Sequence, residues 1–229
     1  MKILEIQTIN VTGKANVQFI RIDSEDTSET LSKILIEIMN LSWLKNFDKD
    51  YIASSFEERA KITIQDIQTK FKACDNGKIT SDAGEYVVSE LARETLINKL
   101  DYLDIPLAEL LGKKVSGNPG FDFHSQNKLT DTVIFGEAKY IANSSAYSSA
   151  IKQINKFVAD KKDIKDIADL QPFCTDKALE RANKGQKGFA AAFSAKSTSS
   201  DRIISSITAM AEFNALTAYN ELILVAVNL

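Results

Sequence analysis

Residues 120–140 read GFDFHSQNKLTDTVIFGEAKY, and the fold turns on this stretch. FDFHS and TVIFGEAKY are rich in β-branched and aromatic residues, and the polar segment QNKLTD separates them. That pattern predicts two neighbouring strands joined by a turn. The second strand holds a contradiction. Val133, Ile134, Phe135 and Ala138 suit burial on both faces, yet Glu137 and Lys139 interrupt them. Side chains alternate along a strand, so Glu137 and Lys139 project to one face and Ala138 to the other. A solvated cross-strand pair on a sheet edge is the plain explanation. The apolar neighbours argue against it, because a buried charge is costly unless it is paired or bound to a metal.

Upstream, KILEIQTINV and NVQFIRI flank TGKA and read as a hairpin. A helix follows through Leu31, Ile34, Leu35 and Ile38, preceded by Ser and Thr positions suited to capping. A second helix is expected over about 51–71, a turn at Asn76-Gly77, and a third helix over about 82–103. IPLAELLGKKVSGNPG, with Gly112, Gly117 and Pro119, reads as connection.

Downstream, SSAYSSAIKQINKFVADKK and TDKALERANKG read as helices. GQKGFAAAFSAKSTSS is low in complexity and reads as a mobile loop. One final helix over DRIISSITAMAEFNALTAYN then leads into ELILVAVNL, an apolar run of the kind found in central buried strands. The order predicts an α/β protein with a mixed central sheet flanked by helices. An α+β N-terminal part over 1–73 precedes a second part over 74–229. The first part holds no candidate catalytic group and is expected to bind a partner or regulate, unless it completes the core of a single domain.

Composition narrows the function classes. The chain has 229 residues, 44% hydrophobic and 26% charged, with a formal net charge of −3. It is therefore no polycation that coats nucleic acid, and any contact with an acidic polymer needs a local basic surface. Lys152, Lys156, Lys161, Lys162, Lys165, Lys177, Arg181, Lys184 and Lys187 supply such residues in the second part. Asp23, Glu25, Asp26 and Glu29 make the first part acidic. That asymmetry suits a DNA-facing second half. Cys74 and Cys174, with His124 as the one histidine, do not make a standard zinc site and read as free thiols. No signal-peptide core or bilayer-spanning run is legible, so a cytoplasmic protein with no membrane contact is expected.

The chemistry collects around the opening stretch. If the two strands pair, Asp122 and Glu137 bring two carboxylates toward one amine, Lys139. Oxygen ligands of this kind suit Mg²⁺, which takes one or two carboxylates plus water and substrate phosphate. A lysine beside the ion can orient a water or stabilise charge developing on phosphorus. His124 is expected on the face of Asp122, more as a satisfied structural histidine than as a participant.

The pattern FD…GEAK resembles the PD-(D/E)xK nuclease superfamily, with Phe121 in place of the Pro. The resemblance implies a restriction-endonuclease-like fold and a deoxyribonuclease using Mg²⁺, with Mn²⁺ as a substitute. It assigns catalysis to Asp122, Glu137 and Lys139. It also implies a further acid from the upstream helix. Glu85 is favoured over Glu90 because a helical wheel sets it beside Val88, Ala92 and Leu96, which makes Glu85, Asp122 and Glu137 the metal ligands. Gln153, four residues before Phe157, occupies the place of an accessory Gln in RecB-like members. Over residues 84–157 the chain is also similar to the nuclease subunits of the Hachiman anti-phage defence system, which implies a helicase or second subunit as partner. A type II restriction endonuclease and a non-catalytic interaction protein are the competing expectations.

Overall fold

The structure is a computed structural model that describes residues 1–74, 78–112, 120–195 and 198–229. Two antiparallel hairpins bracket a parallel centre. The strands are β1 (Lys2–Ile9), β2 (Asn16–Asp23), β3 (Phe123–Asn127), β4 (Thr132–Lys139), β5 (Gly188–Ser194) and β6 (Glu221–Asn228). Among the described residues they form one six-stranded sheet in the order β1-β2-β6-β5-β4-β3. The pairs β1–β2 and β3–β4 are antiparallel, and β2–β6, β6–β5 and β5–β4 are parallel. The expected α/β class with a mixed, helix-flanked sheet is what forms.

Alternation divides the core into two layers. Phe19, Phe135, Phe189, Phe193 and Leu224 face one side, covered by α4 (Tyr147–Ala159), α6 (Asp176–Asn183), α7 (Ser200–Thr208) and α8 (Ala211–Leu216). The short helix α5 (Lys162–Asp166) follows α4. Ile20, Ile22, Ile134, Ala190, Ala192 and Val225 face the other side, covered by α1 (Thr27–Met39), α2 (Asp50–Lys72) and α3 (Ser81–Leu100). Asp26 caps α1 by accepting from Glu29 N, and Thr80 caps α3 by accepting from Ala83 N. The third helix stops at Leu100, where Asp101 takes the left-handed conformation at φ 56°.

Three expectations change. The segment expected to be a mobile loop contains β5, fully buried and paired along both sides. Its residues alternate: Phe189, Ala191 and Phe193 face α4, while Ala190 and Ala192 face α3. Alanine has weak strand preference of its own, so packing between two helical layers decides its state. The final helix is two, α7 and α8, with Met210 extended between them.

The boundary at 73/74 does not separate two cores. All eight residues of β2 pair with β6, and Val17, Phe19, Ile20 and Ile22 are at most 1% exposed. Burying each such side chain is worth about 1.5–3 kcal/mol. The N-terminal hairpin, α1 and α2 therefore share their core with the rest of the chain. The turn expected at Asn76-Gly77 and the connection through Gly117 and Pro119 lie outside the described residues. Among the described residues no helix is long and apolar enough to cross a membrane.

Candidate active site

Glu137 and Lys139 close the carboxyl end of β4, the edge of an open α/β sheet where ligands generally bind. Glu137 is 2% exposed and Lys139 24% exposed. Their side chains meet as alternation requires, with Lys139 Nζ 2.8 Å from Glu137 Oε1. The strand can hold this pair because Gly136 precedes it: a Cβ there would lie 2.3 Å from the Phe123 ring. Phe123 on β3 thus packs against the glycine and keeps the hairpin tight.

Glu85 joins from the opposite layer. Its Oε1 lies 3.1 Å from Lys139 Nζ, so one ammonium bridges two carboxylates. Gly84 brings this about. A Cβ at 84 would lie 2.1 Å from the Tyr140 ring, so only glycine lets Tyr140 press against the first turn of α3. Tyr140 follows Lys139 and Gly84 precedes Glu85, so that one contact fixes the distance between the charges.

Asp122 lies one residue before β3, at a bend. Its Oδ2 accepts a hydrogen bond from Ala138 N at 2.7 Å, between the two charged residues of β4. Burial pulls the Lys139 ammonium toward its neutral form. Glu137, then Asp122 and Glu85, more than reverse this and hold its pKa above the ordinary lysine value. Lys139 is therefore a cation at neutral pH and not a free base.

The remaining expected participants are elsewhere. The bend at Asp122 parts it from His124, which is fully buried with Nε2 3.1 Å from Asp166 Oδ2. His124 and Asp122 do not share a strand face in the expected way. Gln153 is half-buried on α4, and among the described residues no hydrogen bond joins it to Glu137, Lys139 or Asp122. Phe157 is a core residue packed on Phe121. Glu90 is 1% exposed and bound through both oxygens to Arg93, at 2.5 and 2.8 Å. Burial is the reverse of what a helical wheel predicts, since Glu85 is 38% exposed. Helix α3 lies under α1 and α2 as well as on the sheet, so its side away from the strands is covered too. Lys187, counted among the basic residues, is 7% exposed and paired with Asp163 in the interior.

Two residues that shape this site carried no sequence signal. Ser194 ends β5, and its Oγ accepts from Ile141 N at 2.9 Å and donates to Ile141 O at 3.1 Å. Arg21 on β2 lies in the same register row as Lys139 through Phe193 and Ala226. It donates to Ala195 O, Thr198 O, Ser200 Oγ and Asn228 Oδ1. Together they fasten the rim that follows Lys139 and β5.

Among the described residues no three His, Cys, Asp or Glu side chains form a ready-made metal cage. The donors still fit an ion that needs only one or two carboxylates, because two acids already aim an oxygen at a common cation, the Lys139 ammonium. Comparison with family models, curated proteins and solved structures finds no match for this chain.

Proposed function

We propose that this protein is a metal-dependent nuclease that hydrolyses phosphodiester bonds in DNA, as an endonuclease or nickase. The observation that supports this best is the convergence of Glu137 and Glu85 on Lys139 at the carboxyl end of β4, with Asp122 bonded into the same strand end. Glu137 and Asp122, assisted by Glu85, are the residues that would hold Mg²⁺ or Mn²⁺. Such an ion, when bound, polarises a phosphoryl oxygen and lowers the pKa of a water.

The chain's own groups supply the rest. Lys139 keeps its proton beside three carboxylates, so its role is to donate N–H groups to charge developing on phosphate oxygens. Asp122, fixed by Ala138 N, orients the strand end on which Glu137 and Lys139 stand. Lys152, Lys161 and Lys165 are exposed on and after α4 and would meet DNA phosphates. The similarity of residues 84–157 to Hachiman nuclease subunits extends the proposal to an anti-phage effector acting beside a helicase or second subunit. A non-catalytic interaction protein is the rival reading, favoured by the lack of a three-acid cage among the described residues.

Purified protein incubated with supercoiled plasmid in Mg²⁺ or in EDTA separates the two. Nicking is expected in Mg²⁺ only, and lost in Glu137→Ala and Lys139→Ala. Equal nicking by the wild type and both variants, in preparations free of contaminating nuclease, would refute the assignment.

A further inference from the structure

We propose that Lys139 is a resident cation of this site, holding Glu137 and Glu85 together until a divalent ion displaces its ammonium from Glu85. The inference rests on the metal-binding part of the proposed function and adds a step before it.

Three observations carry it. The Lys139 ammonium lies 2.8 Å from one carboxylate and 3.1 Å from the other, the place between two acids that a shared cation takes. Exposure is graded across the trio, at 2% for Glu137, 24% for Lys139 and 38% for Glu85. Glu137 is thus held in the interior while Glu85 reaches in from solvent, so exchange proceeds at the Glu85 contact. Finally, the Gly84–Tyr140 contact fixes the backbone on both sides, so the carboxylates stay facing each other when the ammonium swings away.

An ammonium and a dication cannot both sit between these oxygens, because like charges a few ångströms apart repel strongly where water is partly excluded. Lys139 and the metal therefore compete for Glu85. Once displaced, the ammonium is free to point toward the side from which an anionic substrate approaches. The same side chain then serves two states: it neutralises the acids at rest and faces the phosphate when the ion is in place.

The test is metal affinity measured without DNA. Mn²⁺ binding is followed by calorimetry and by the paramagnetic loss of free-ion signal, for the wild type, Lys139→Met and Glu85→Gln. Lys139→Met is expected to bind Mn²⁺ more tightly by roughly tenfold, within the usual span of coupling between two ligands. Its thermal midpoint should also rise more on adding Mn²⁺ than that of the wild type. Glu85→Gln should bind more weakly than the wild type.

Equal or weaker binding by Lys139→Met overturns the inference while leaving the metal reading intact. No Mn²⁺ binding by the wild type or either variant overturns both. Should Lys139→Met fail to fold, ¹⁵N spectra of the wild-type lysine ammonium decide the matter. Mg²⁺ must shift the Lys139 signal toward that of a lysine without its Glu85 contact, and an unmoved signal with Mg²⁺ bound refutes displacement.

Discussion

The two ends of the parallel strands both bury carboxylates, yet they hold them differently. At the amino end Glu221 opens β6 and is 5% exposed. It accepts from Tyr102 Oη at 2.5 Å, Asn127 Nδ2 at 3.0 Å and Thr130 Oγ1 at 2.7 Å. Beside it Lys187 and Asp163 close on each other in the interior. At the carboxyl end Glu137, Glu85 and Asp122 all act on the ammonium of Lys139, which still reaches solvent. Burial of charge therefore does not mark a site. Closed, mutually satisfied charge ties elements together, here β6 to the β3–β4 hairpin. Charge that converges and stays open to solvent is available to a ligand.

The largest effect should come from removing the sheet that makes both ends. Deleting residues 1–73 strips β1, β2, α1 and α2 and bares the flank of β6, so the remainder is expected to lose its cooperative fold. Circular dichroism checks this, and a folded, melting remnant would restore a boundary at 73/74.

Next comes the open end. Glu137→Gln should lower plasmid cleavage by about 10²–10³-fold while its thermal midpoint stays near that of the wild type. The closed end should behave in the opposite way. Glu221→Ala leaves the buried Tyr102 hydroxyl without its acceptor, a loss that costs about 1–3 kcal/mol. A lower urea midpoint with cleavage per folded molecule retained is the expected result. Loss of cleavage without loss of stability would erase the contrast.

Gly84→Ala should fall between the two classes. Its Cβ would collide with the Tyr140 ring, forcing apart the elements that carry Glu85 and Lys139. A stability loss of about 1–3 kcal/mol with weaker Mn²⁺ binding is expected, measured by melting and calorimetry together.

The smallest effect concerns the closed end's access to solvent. Cys174 precedes Thr175, whose N donates to Gln126 Oε1 on β3. Burial pushes the Cys174 thiol up to about 12. Its contribution to stability is therefore complete below the ordinary thiol value of about 8.5 and declines as pH rises from there through the folded value. Below that range the folded protein should be alkylated at half-buried Cys74 well before Cys174, as peptide mass mapping would show. Equal rates would mean that the amino end opens.

Much of this was legible in the chain itself. Alternation in TVIFGEAKY put Glu137 and Lys139 on one face, and their side chains do meet there. Both hairpins, the spacing of α1 and the buried character of β6 followed from local pattern, because period and turn chemistry act over a few residues.

What pattern left open was decided by contacts between distant segments. β5 became a strand because two helical layers and two neighbouring strands enclose its alanines, a cause that alanine's own preference opposes. β2 joined the sheet through β6, which lies at the far end of the chain. Glu85 reached Lys139 through a glycine under a tyrosine ring, while Glu90, on the same helix, was turned to Arg93. Local preference is worth tenths of a kcal/mol per residue and burial several times more, so where the two disagree the tertiary structure prevails.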